Sequence, residues 1–376
     1  MSKLRNPTYK RFITGPLLRF DDRNGGFSRL ERDEVHKTDE EQKASSTATD
    51  KLSQVDPSRA ERKGYEQKDY ALAWAGRTVD FLVRKNLYTR DSDVAQKAID
   101  VSDKAAITRQ VKSAARWFGT DLVGICEAKP SWIYSCWGDR NASHSGGLAS
   151  PGDPVEIPPW LKYAVVMAVE MDYHEIARSP AVEPATFLGY AKMSFIAPSV
   201  ATYIRQLGYH AMACGNDFAV SIPLAIDAGL GELGRNGMLI TKRYGPRVRI
   251  CKVFTDLPLE VDSPIDIGVQ DFCERCLRCA ETCPGGAIMF EERMDKAWDE
   301  SNNINVLKWP VKAMNCLSWW NKNQSGCSNC IRSCPYNKPE GWLHSSVRKI
   351  VATTPVFDRM LVKMDKVLGY GKQVKS

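Results

Sequence analysis

Eight of the chain's twelve cysteines lie between positions 273 and 334, and their spacing restricts what this segment can fold around. The first run reads Cys273-x2-Cys276-x2-Cys279-x3-Cys283-Pro284. Three thiolates at two-residue gaps can bind three corners of one [4Fe–4S] cube, and the fourth, placed before a proline, binds a second cube. Zinc ribbons use paired Cys-x2-Cys units instead. The run therefore predicts iron–sulfur chemistry rather than disulfides or zinc.

The second run, Cys327-x2-Cys330-x3-Cys334-Pro335, lacks a cysteine at its usual first position, and Cys316, eleven residues earlier, can replace it. Exchanging the fourth ligand between the runs uses each cysteine once. The first predicted set is Cys273, Cys276, Cys279 and Cys334. The second predicted set is Cys283, Cys316, Cys327 and Cys330. Two [4Fe–4S] clusters so held would relay single electrons.

The overall composition is that of an ordinary globular protein, with 376 residues and a hydrophobic fraction of 43%. Basic residues are scattered and the formal charge is a modest +7, so no nucleic-acid partner is expected. No apolar run reaches about 18 residues, and no apolar stretch follows the charges at the start. The chain is expected to be either cytoplasmic or a mature form whose leader has been removed.

The residue pattern predicts an α/β architecture with four regions. A polar stretch and a helix from Tyr70 to Leu87 form an N-terminal arm and helical region, 1–107. Alternating helices and apolar runs predict an α/β core over 108–260. The two-cluster, ferredoxin-like module takes 261–345, and a C-terminal helix and tail expected to pack on the core take 346–376. The predicted core strands are Leu122 to Cys126, Tyr163 to Met171, Tyr209 to Cys214, Gly237 to Thr241 and Val248 to Phe254.

Two segments of the core carry a resemblance to a known family. One runs from Asp227 to Thr241 and reads DAGLGELGRNGMLIT; the other runs from Gly245 to Leu259 and reads GPRVRICKVFTDLPL. Together with the isolated Cys316 before a shortened second run, these segments resemble the respiratory reductive dehalogenases, which are corrinoid and iron–sulfur enzymes of organohalide-respiring bacteria. The resemblance extends from about residue 108 to residue 371.

The resemblance implies a base-off cobalamin in a nitroreductase-like core, beside one cluster, with the other cluster near the surface. It implies the reaction R–X + 2e⁻ + H⁺ → R–H + X⁻, in which reduced cobalt breaks the carbon–halogen bond. Matching the motifs places the proton donor on Tyr190, assisted by Arg249 and Asn216. A phenol is protonated at neutral pH, and an adjacent cation stabilises the phenolate left after transfer.

Other residues are candidates for the pocket around the cofactor and the substrate. Thr186 lies one helical turn before Tyr190, and three tryptophans, Trp319, Trp320 and Trp342, flank the second cysteine run. Their aromatic surface favours a small chlorinated alkane or alkene as substrate. The resemblance also implies twin-arginine export, peripheral binding at the outer face of the cytoplasmic membrane, a small membrane anchor protein, an upstream electron donor and a possible homo-oligomer.

Two alternatives remain at the level of the sequence. Epoxyqueuosine reductase, a cytoplasmic tRNA-modifying enzyme, also uses a corrinoid and clusters, but it would need an acidic proton donor and a basic RNA-binding surface. An iron–sulfur electron carrier without chemistry of its own would need no core of this volume.

Overall fold

The computed structural model describes residues 4–35, 65–66, 69, 72, 94–143, 149–339 and 341–373. The helix predicted from Tyr70 to Leu87 falls outside these residues, apart from Leu72. The strands are β1 (Leu122–Glu127), β2 (Tyr163–Glu170), β3 (Ala211–Cys214), β4 (Gly231–Leu233), β5 (Leu239–Thr241) and β6 (Val248–Thr255). The longer helices are α1 (Gly26–Val35), α2 (Lys104–Trp117), α3 (Glu183–Gln206), α4 (Ser221–Asp227), α5 (Val269–Arg275), α6 (Ala313–Asn323), α7 (Trp342–Thr353) and α8 (Asp358–Val367). Shorter helical segments are Thr8–Phe12, Asp22–Asn24, Pro130–Trp132, Asp139–Ser143, Tyr173–Ala177, Arg278–Glu281, Asn329–Arg332 and Pro355–Phe357.

A four-stranded sheet in the order β1-β2-β6-β3 forms the centre of the core, and every described pairing in it is antiparallel. Helices α2 and α3 pack on one face of the sheet, and α4 packs on the other. Because both faces are covered, the six central residues of β2 are all buried, which explains their continuous apolar sequence. The core contains the expected combination of a sheet covered by helices. Because the strands of this sheet pair antiparallel, the core is of the α+β type.

The predicted strands occur close to their expected positions, and two predicted elements are shorter in the structure. The strand expected from Gly237 begins at Leu239, because Gly237 adopts a left-handed φ of 72° in a turn. The sequence pattern also predicts a helix from Phe218 to Ala228, and this helix begins at Ser221 instead, because Phe218 itself has a φ of 68°. A helix cannot include such a residue. The segment before Ser221 is therefore a loop.

The N-terminal arm contributes to the core through Tyr9. This ring is buried, packs edge-on against Trp132 at 5.5 Å, and donates a 2.6 Å hydrogen bond to Asp227 Oδ1. Asp227 ends α4 and also accepts from Lys129 Nζ at 2.8 Å. The arm, expected from its polar sequence to have little core of its own, is thus joined to the sheet domain by the Asp227 carboxylate and by further contacts such as those of Arg19 with the carbonyls of Ile133 and Val155.

Arg247, just before β6, joins the sheet to the cysteine-rich module. Its guanidinium is fully buried and forms an ion pair with Glu170 Oε1 at 2.8 Å. It also donates to Asn337 Oδ1 at 3.1 Å and to the carbonyl of Lys338 at 3.0 Å, beyond the last cluster cysteine. A buried guanidinium needs most of its donors satisfied, so this network fixes the module against the core.

The C-terminal helices present an apolar surface. The C-terminal helix α8 was expected to pack on the core, but several of its apolar side chains are exposed to solvent: Met360 is 50% exposed and Val367 is 83% exposed. Trp342, at the start of α7, is 81% exposed. Among the described residues, no helix combines the length and apolar character needed to cross a bilayer.

Gly124 in β1 gives a test of the core packing. A Cβ at this position would clash with the carbonyl of Ala228, so we expect Gly124→Ala to lower the free energy of unfolding by about 2 kcal/mol or more. Denaturant unfolding measures this change. Gly341→Ala is the control, because a Cβ there meets nothing within 4 Å and should change stability by less than about 0.5 kcal/mol. Equal stability of the two variants would show that α4 does not lie against β1 as described.

Candidate active site

Tyr190, Arg249 and Asn216 meet at one end of the sheet, as the sequence predicted. Tyr190 lies in the second turn of α3, Arg249 near the start of β6, and Asn216 just after β3. The phenol oxygen accepts hydrogen bonds from Arg249 Nη1 at 3.2 Å and from Asn216 Nδ2 at 3.1 Å. The guanidinium also lies over the Tyr190 ring, 4.7 Å from its centroid. Three segments distant in sequence therefore converge on one phenol oxygen.

Thr186 belongs to the same constellation. Its hydroxyl accepts a 3.1 Å hydrogen bond from Arg249 Nη2, so the two terminal nitrogens of the guanidinium contact two side chains one turn apart on α3. No carboxylate in the described chain is recorded within ion-pair distance of Arg249, and its Nε is buried without an acceptor. The positive charge is therefore held by neutral oxygens and remains available to an anion.

Gly189 provides the space that this contact requires. A Cβ at Gly189 would lie 2.9 Å from Arg249 Cγ, closer than real Cβ contacts allow. Glycine inside a helix costs about 1 kcal/mol relative to alanine, so its presence beside Tyr190 indicates a close approach of another group. The sequence contained this signal, but its role becomes clear only when β6 is seen to pass against α3.

Lys252 fixes the loop that carries Asn216, and sequence reasoning missed it. Its fully buried ammonium donates to the carbonyls of Gly215 at 2.6 Å and Ala219 at 3.2 Å, and to Ser221 Oγ at 3.0 Å. Burial lowers the pKa of Lys252, while nearby acidic groups oppose that shift. A lysine inside an apolar strand is the signal that could have identified it, since buried lysines are rare unless paired.

The arrangement around Tyr190 can deliver a proton. Its oxygen accepts two hydrogen bonds, and no acceptor for its own hydroxyl proton is recorded among the described residues. After transfer, the phenolate would keep both donors, one of them cationic, and charge-assisted hydrogen bonds of this kind are about twice as strong as neutral ones. The geometry thus suits a general acid.

Several cysteines of each predicted set lie close to one another, and Cys330 of the second set also lies close to Cys279 of the first. Burial raises the pKa of Cys276 and of Cys279, and neighbouring thiols of the first set, including Cys273, raise them further. Burial likewise raises the pKa of Cys316 to about 12, with further contributions from Cys327 and Cys283 of the second set. Bound iron would supply the positive charge that such thiolates need. No three acidic, histidine or cysteine side chains of the described chain converge tightly enough for a single metal ion, whereas a [4Fe–4S] cube bonds each thiolate to a different iron.

The first set has a buried cation beside it. Arg235 donates from Nε to the carbonyl of Cys273 at 3.0 Å and stacks on Trp309 at 4.4 Å. The guanidinium of Arg293 also lies over the Trp309 ring, 4.0 Å from its centroid. Among the described residues no carboxylate pairs with Arg235, which suits a neighbour as negative as an iron–sulfur cluster.

The three candidate tryptophans have different surroundings. Trp319 and Trp320 lie on α6, the helix that carries Cys316, and Trp320 packs against Phe27 at 5.9 Å. The indole nitrogen of Trp319 is buried without a partner, as is Arg249 Nε. An acceptor on a bound corrinoid, such as an amide oxygen, would satisfy the buried Arg249 Nε. Trp342 is mostly exposed on α7 and contacts none of the residues around Tyr190.

The cysteine-rich module and the core both have counterparts in known proteins. The 4Fe-4S double cluster binding domain family matches residues 272–337. A tetrachloroethene reductive dehalogenase from Desulfitobacterium hafniense is 37% identical over 304 residues, which cover 72% of this chain and 55% of that protein. A solved variant of the catabolic reductive dehalogenase NpRdhA matches 99% of this chain and 48% of its own, with a TM-score of 0.77 and 25% identity.

An epoxyqueuosine reductase from Lactococcus garvieae is 27% identical over 182 residues, which cover 44% of this chain and 42% of that protein. Identity and coverage are both higher for the dehalogenases. The chain therefore belongs to the reductive dehalogenase family. It spans about half the length of the curated dehalogenases it matches.

Lys252 offers a test of how the site is positioned. We expect Lys252→Met to leave two carbonyls and a hydroxyl unpaired and to lower the free energy of unfolding by roughly 1–3 kcal/mol. Hydrogen exchange at the amides of 215–221 should also become faster, because the loop loses its central donor. Lys162→Met, at an exposed position, is the matched control and should change neither quantity. Unchanged exchange in Lys252→Met would contradict the positioning role.

Proposed function

We propose that this chain removes halide from a small organohalide by R–X + 2e⁻ + H⁺ → R–H + X⁻, with Tyr190 as the proton donor. The observation that carries the proposal is the phenol oxygen held by two donors, with no recorded acceptor for its own proton in the described chain. When bound, a reduced corrinoid supplies the electrons that break the carbon–halogen bond. The protein orients the acid, stabilises its phenolate and keeps the site apolar.

A small chlorinated alkane or alkene is the proposed substrate class. The similarity to a tetrachloroethene reductive dehalogenase supports this choice. The epoxyqueuosine alternative needs an acidic proton donor, and in the described chain no carboxylate is recorded in contact with the phenol of Tyr190 or the guanidinium of Arg249.

The proposed cofactors are two [4Fe–4S] clusters and a base-off cobalamin in a nitroreductase-like core. The second cluster is proposed to lie on the side of Tyr190. The packing of Cys330 against a small apolar cluster that contains Ala185, the neighbour of Thr186, supports this position. The first set lies towards α5 and Arg235. Electrons would then enter at the first cluster and leave from the second.

We further propose that the enzyme works in organohalide respiration at the outer face of the cytoplasmic membrane, held by a small membrane anchor protein and reduced by an upstream donor. The exposed apolar side chains of α7 and α8 support a docking role, because contiguous exposed apolar surface commonly marks an interaction site. A homo-oligomer formed through the same helices is the alternative occupant of this surface. Crosslinking in native membranes distinguishes the two.

The proton donor is tested by Tyr190→Phe. This variant removes only the hydroxyl, so we expect kcat for dehalogenation to fall about 10²- to 10⁴-fold while corrinoid and iron contents stay unchanged. Tyr203→Phe, on the same helix, is the control and should retain activity. The assay should compare chloroform, chlorinated ethanes, chlorinated ethenes and chlorophenols under anaerobic conditions. Full activity of Tyr190→Phe on its best substrate would remove this residue from the mechanism.

The ligand sets are tested by Cys316→Ser. Purified anaerobically, the parent should hold about eight iron atoms per chain, and the variant should retain about four because the second cluster loses a ligand. Electron paramagnetic resonance of the reduced protein should show one cluster signal instead of two interacting ones. Cys136→Ser, outside both sets, should keep the full iron content. An iron content unaffected by Cys316→Ser would assign the fourth ligand elsewhere.

A further inference from the structure

A buried carboxylate lies near the first set of cysteines, and the chemistry described so far does not use it. Glu232, in the middle of β4, is 0% exposed. Its Oε2 accepts hydrogen bonds from the backbone amides of Ile267 at 2.6 Å and Val269 at 3.3 Å. Its Oε1 is buried and has no hydrogen-bond partner in the described chain. An acidic side chain is almost never fully buried unless it is paired with a cation, so this position is unusual.

The apolar cluster around this carboxylate also contains three cysteines of the first set. Ile267 and Val269 pack with Cys276, and Cys273 and Cys334 lie against the same cluster. Val269 and Cys273 are four residues apart on α5, so their side chains lie on one face of the helix, about 5–6 Å apart. No hydrogen bond between the carboxylate and a cysteine is recorded among the described residues. The carboxylate and a cluster held by these thiolates therefore share one water-poor environment without touching.

The charged groups around Glu232 come from several neighbouring elements. Burial raises its pKa to about 7, Asp266 before α5 raises it further, and Arg11 of the N-terminal arm opposes the shift. Arg11 is itself paired with Asp271 of α5 at 3.4 Å. Asp227, at the end of α4, is neutralised by its ion pair with a lysine, and β5 carries no titratable side chain. Glu232 is thus a carboxylate without a dedicated cation.

The charge of Glu232 acts on the first set of cysteines. Burial raises the pKa of Cys273 and the charge of Glu232 raises it further, while Arg235 lowers it. Burial also raises the pKa of Tyr336, the ring that packs in the same cluster, with further contributions from Cys273 and Glu232. Coulombic interaction is mutual, so a negative charge added to a cluster held by Cys273 strengthens the binding of a proton by Glu232.

We propose that Glu232 takes up one proton when the first cluster takes up one electron, and releases this proton when the electron moves on. The balanced step is [4Fe–4S]²⁺ + e⁻ + RCOO⁻ + H⁺ → [4Fe–4S]⁺ + RCOOH, where R is the rest of Glu232. The cluster is reduced by the upstream donor, the proton comes from water, and one O–H bond forms. This inference rests on the proposed clusters and is independent of the chemistry at Tyr190.

The bound proton would stabilise the added electron, because it cancels a negative charge where little water screens it. Solvent is close to the carboxylate, since the Arg11 side chain, whose charge acts on Glu232, is 48% exposed. Glu232 contacts neither the substrate nor the reacting atoms. It is therefore a positioning residue for charge, which acts on electron entry through the first cluster.

The test is an anaerobic redox titration of the full chain with its clusters rebuilt, at pH values spanning about 6 to 8, on both sides of the Glu232 pKa of about 7. Electron paramagnetic resonance follows the first cluster, and Cys316→Ser, which is expected to keep only that cluster, identifies its signal. In the parent, the potential should fall as the pH rises, because the reduced form binds the proton more tightly. The slope should approach a tenfold change in the reduction equilibrium per pH unit, which is 59 mV for one electron.

Glu232→Gln keeps the size of the side chain and one acceptor oxygen, and it should reduce this slope to near zero. Glu274→Gln is the matched control: Glu274 directly follows Cys273, but its carboxylate is 44% exposed and paired with Arg293. This control removes the same charge and should keep the parent's slope. Iron content and circular dichroism confirm that each variant folds.

Infrared difference spectra of the parent give a measurement that needs no variant. Reduction of the first cluster should add the C=O band of a protonated carboxylic acid, and Glu232→Gln should lack this band. A parent potential that does not change with pH, a parent spectrum without the band, or an equal slope in Glu232→Gln overturns the role of Glu232 while leaving the proposed function in place. Failure of the parent to hold iron–sulfur clusters overturns both.

Discussion

Three basic side chains in and beside the central strand β6 connect the parts of this protein, and each has its charge satisfied differently. Arg247 pairs with Glu170 and reaches the end of the cysteine-rich module. Lys252 donates to two carbonyls of the loop before α4 and to Ser221 Oγ at the start of that helix. In the described chain, the recorded hydrogen bonds of the Arg249 guanidinium go to two hydroxyl oxygens, those of Tyr190 and Thr186. Burying a cation is costly unless it is hydrogen-bonded, so these contacts determine where the module, the loop and α3 lie around the sheet.

The difference between Arg247 and Arg249 explains how one strand serves both structure and chemistry. In the proposed mechanism Arg249 stabilises a phenolate, and a carboxylate beside it would neutralise that charge, so a neutral partner such as Thr186 is better suited. Arg247 has no proposed catalytic role, and its charge is neutralised by the ion pair with Glu170. Arg247 and Arg249 are two residues apart, so within one continuous strand both side chains would point to the same face of the sheet. Arg247 instead precedes β6 and contacts the cysteine-rich module. Position relative to the strand end therefore separates the two roles.

Much of this arrangement was accessible from the sequence because it follows from local pattern or from covalent spacing. The cysteine spacing predicted the iron–sulfur domain, and continuous apolar runs located β1, β2 and β6 within a residue or two. The antiparallel order of the sheet was less accessible, since buried strands of either type read as unbroken apolar runs. The link from Tyr9 to Asp227 joins residues 218 positions apart, and no local signal predicts such a contact.

The residues that sequence reasoning missed violate local rules, and this explains both why they were missed and why they are informative. Gly189 interrupts a helix, Phe218 has a positive φ, and Lys252 is a charge inside the sheet. Each reduces stability when considered alone, by roughly 1–3 kcal/mol for a strained backbone residue and about 1 kcal/mol for a helical glycine. Gly189 admits Arg249, while Phe218 lies in the loop that carries Asn216 and Lys252 donates to that loop. Local costs of this kind are expected where a fold gives up stability to position a functional site, which supports the role proposed for Tyr190.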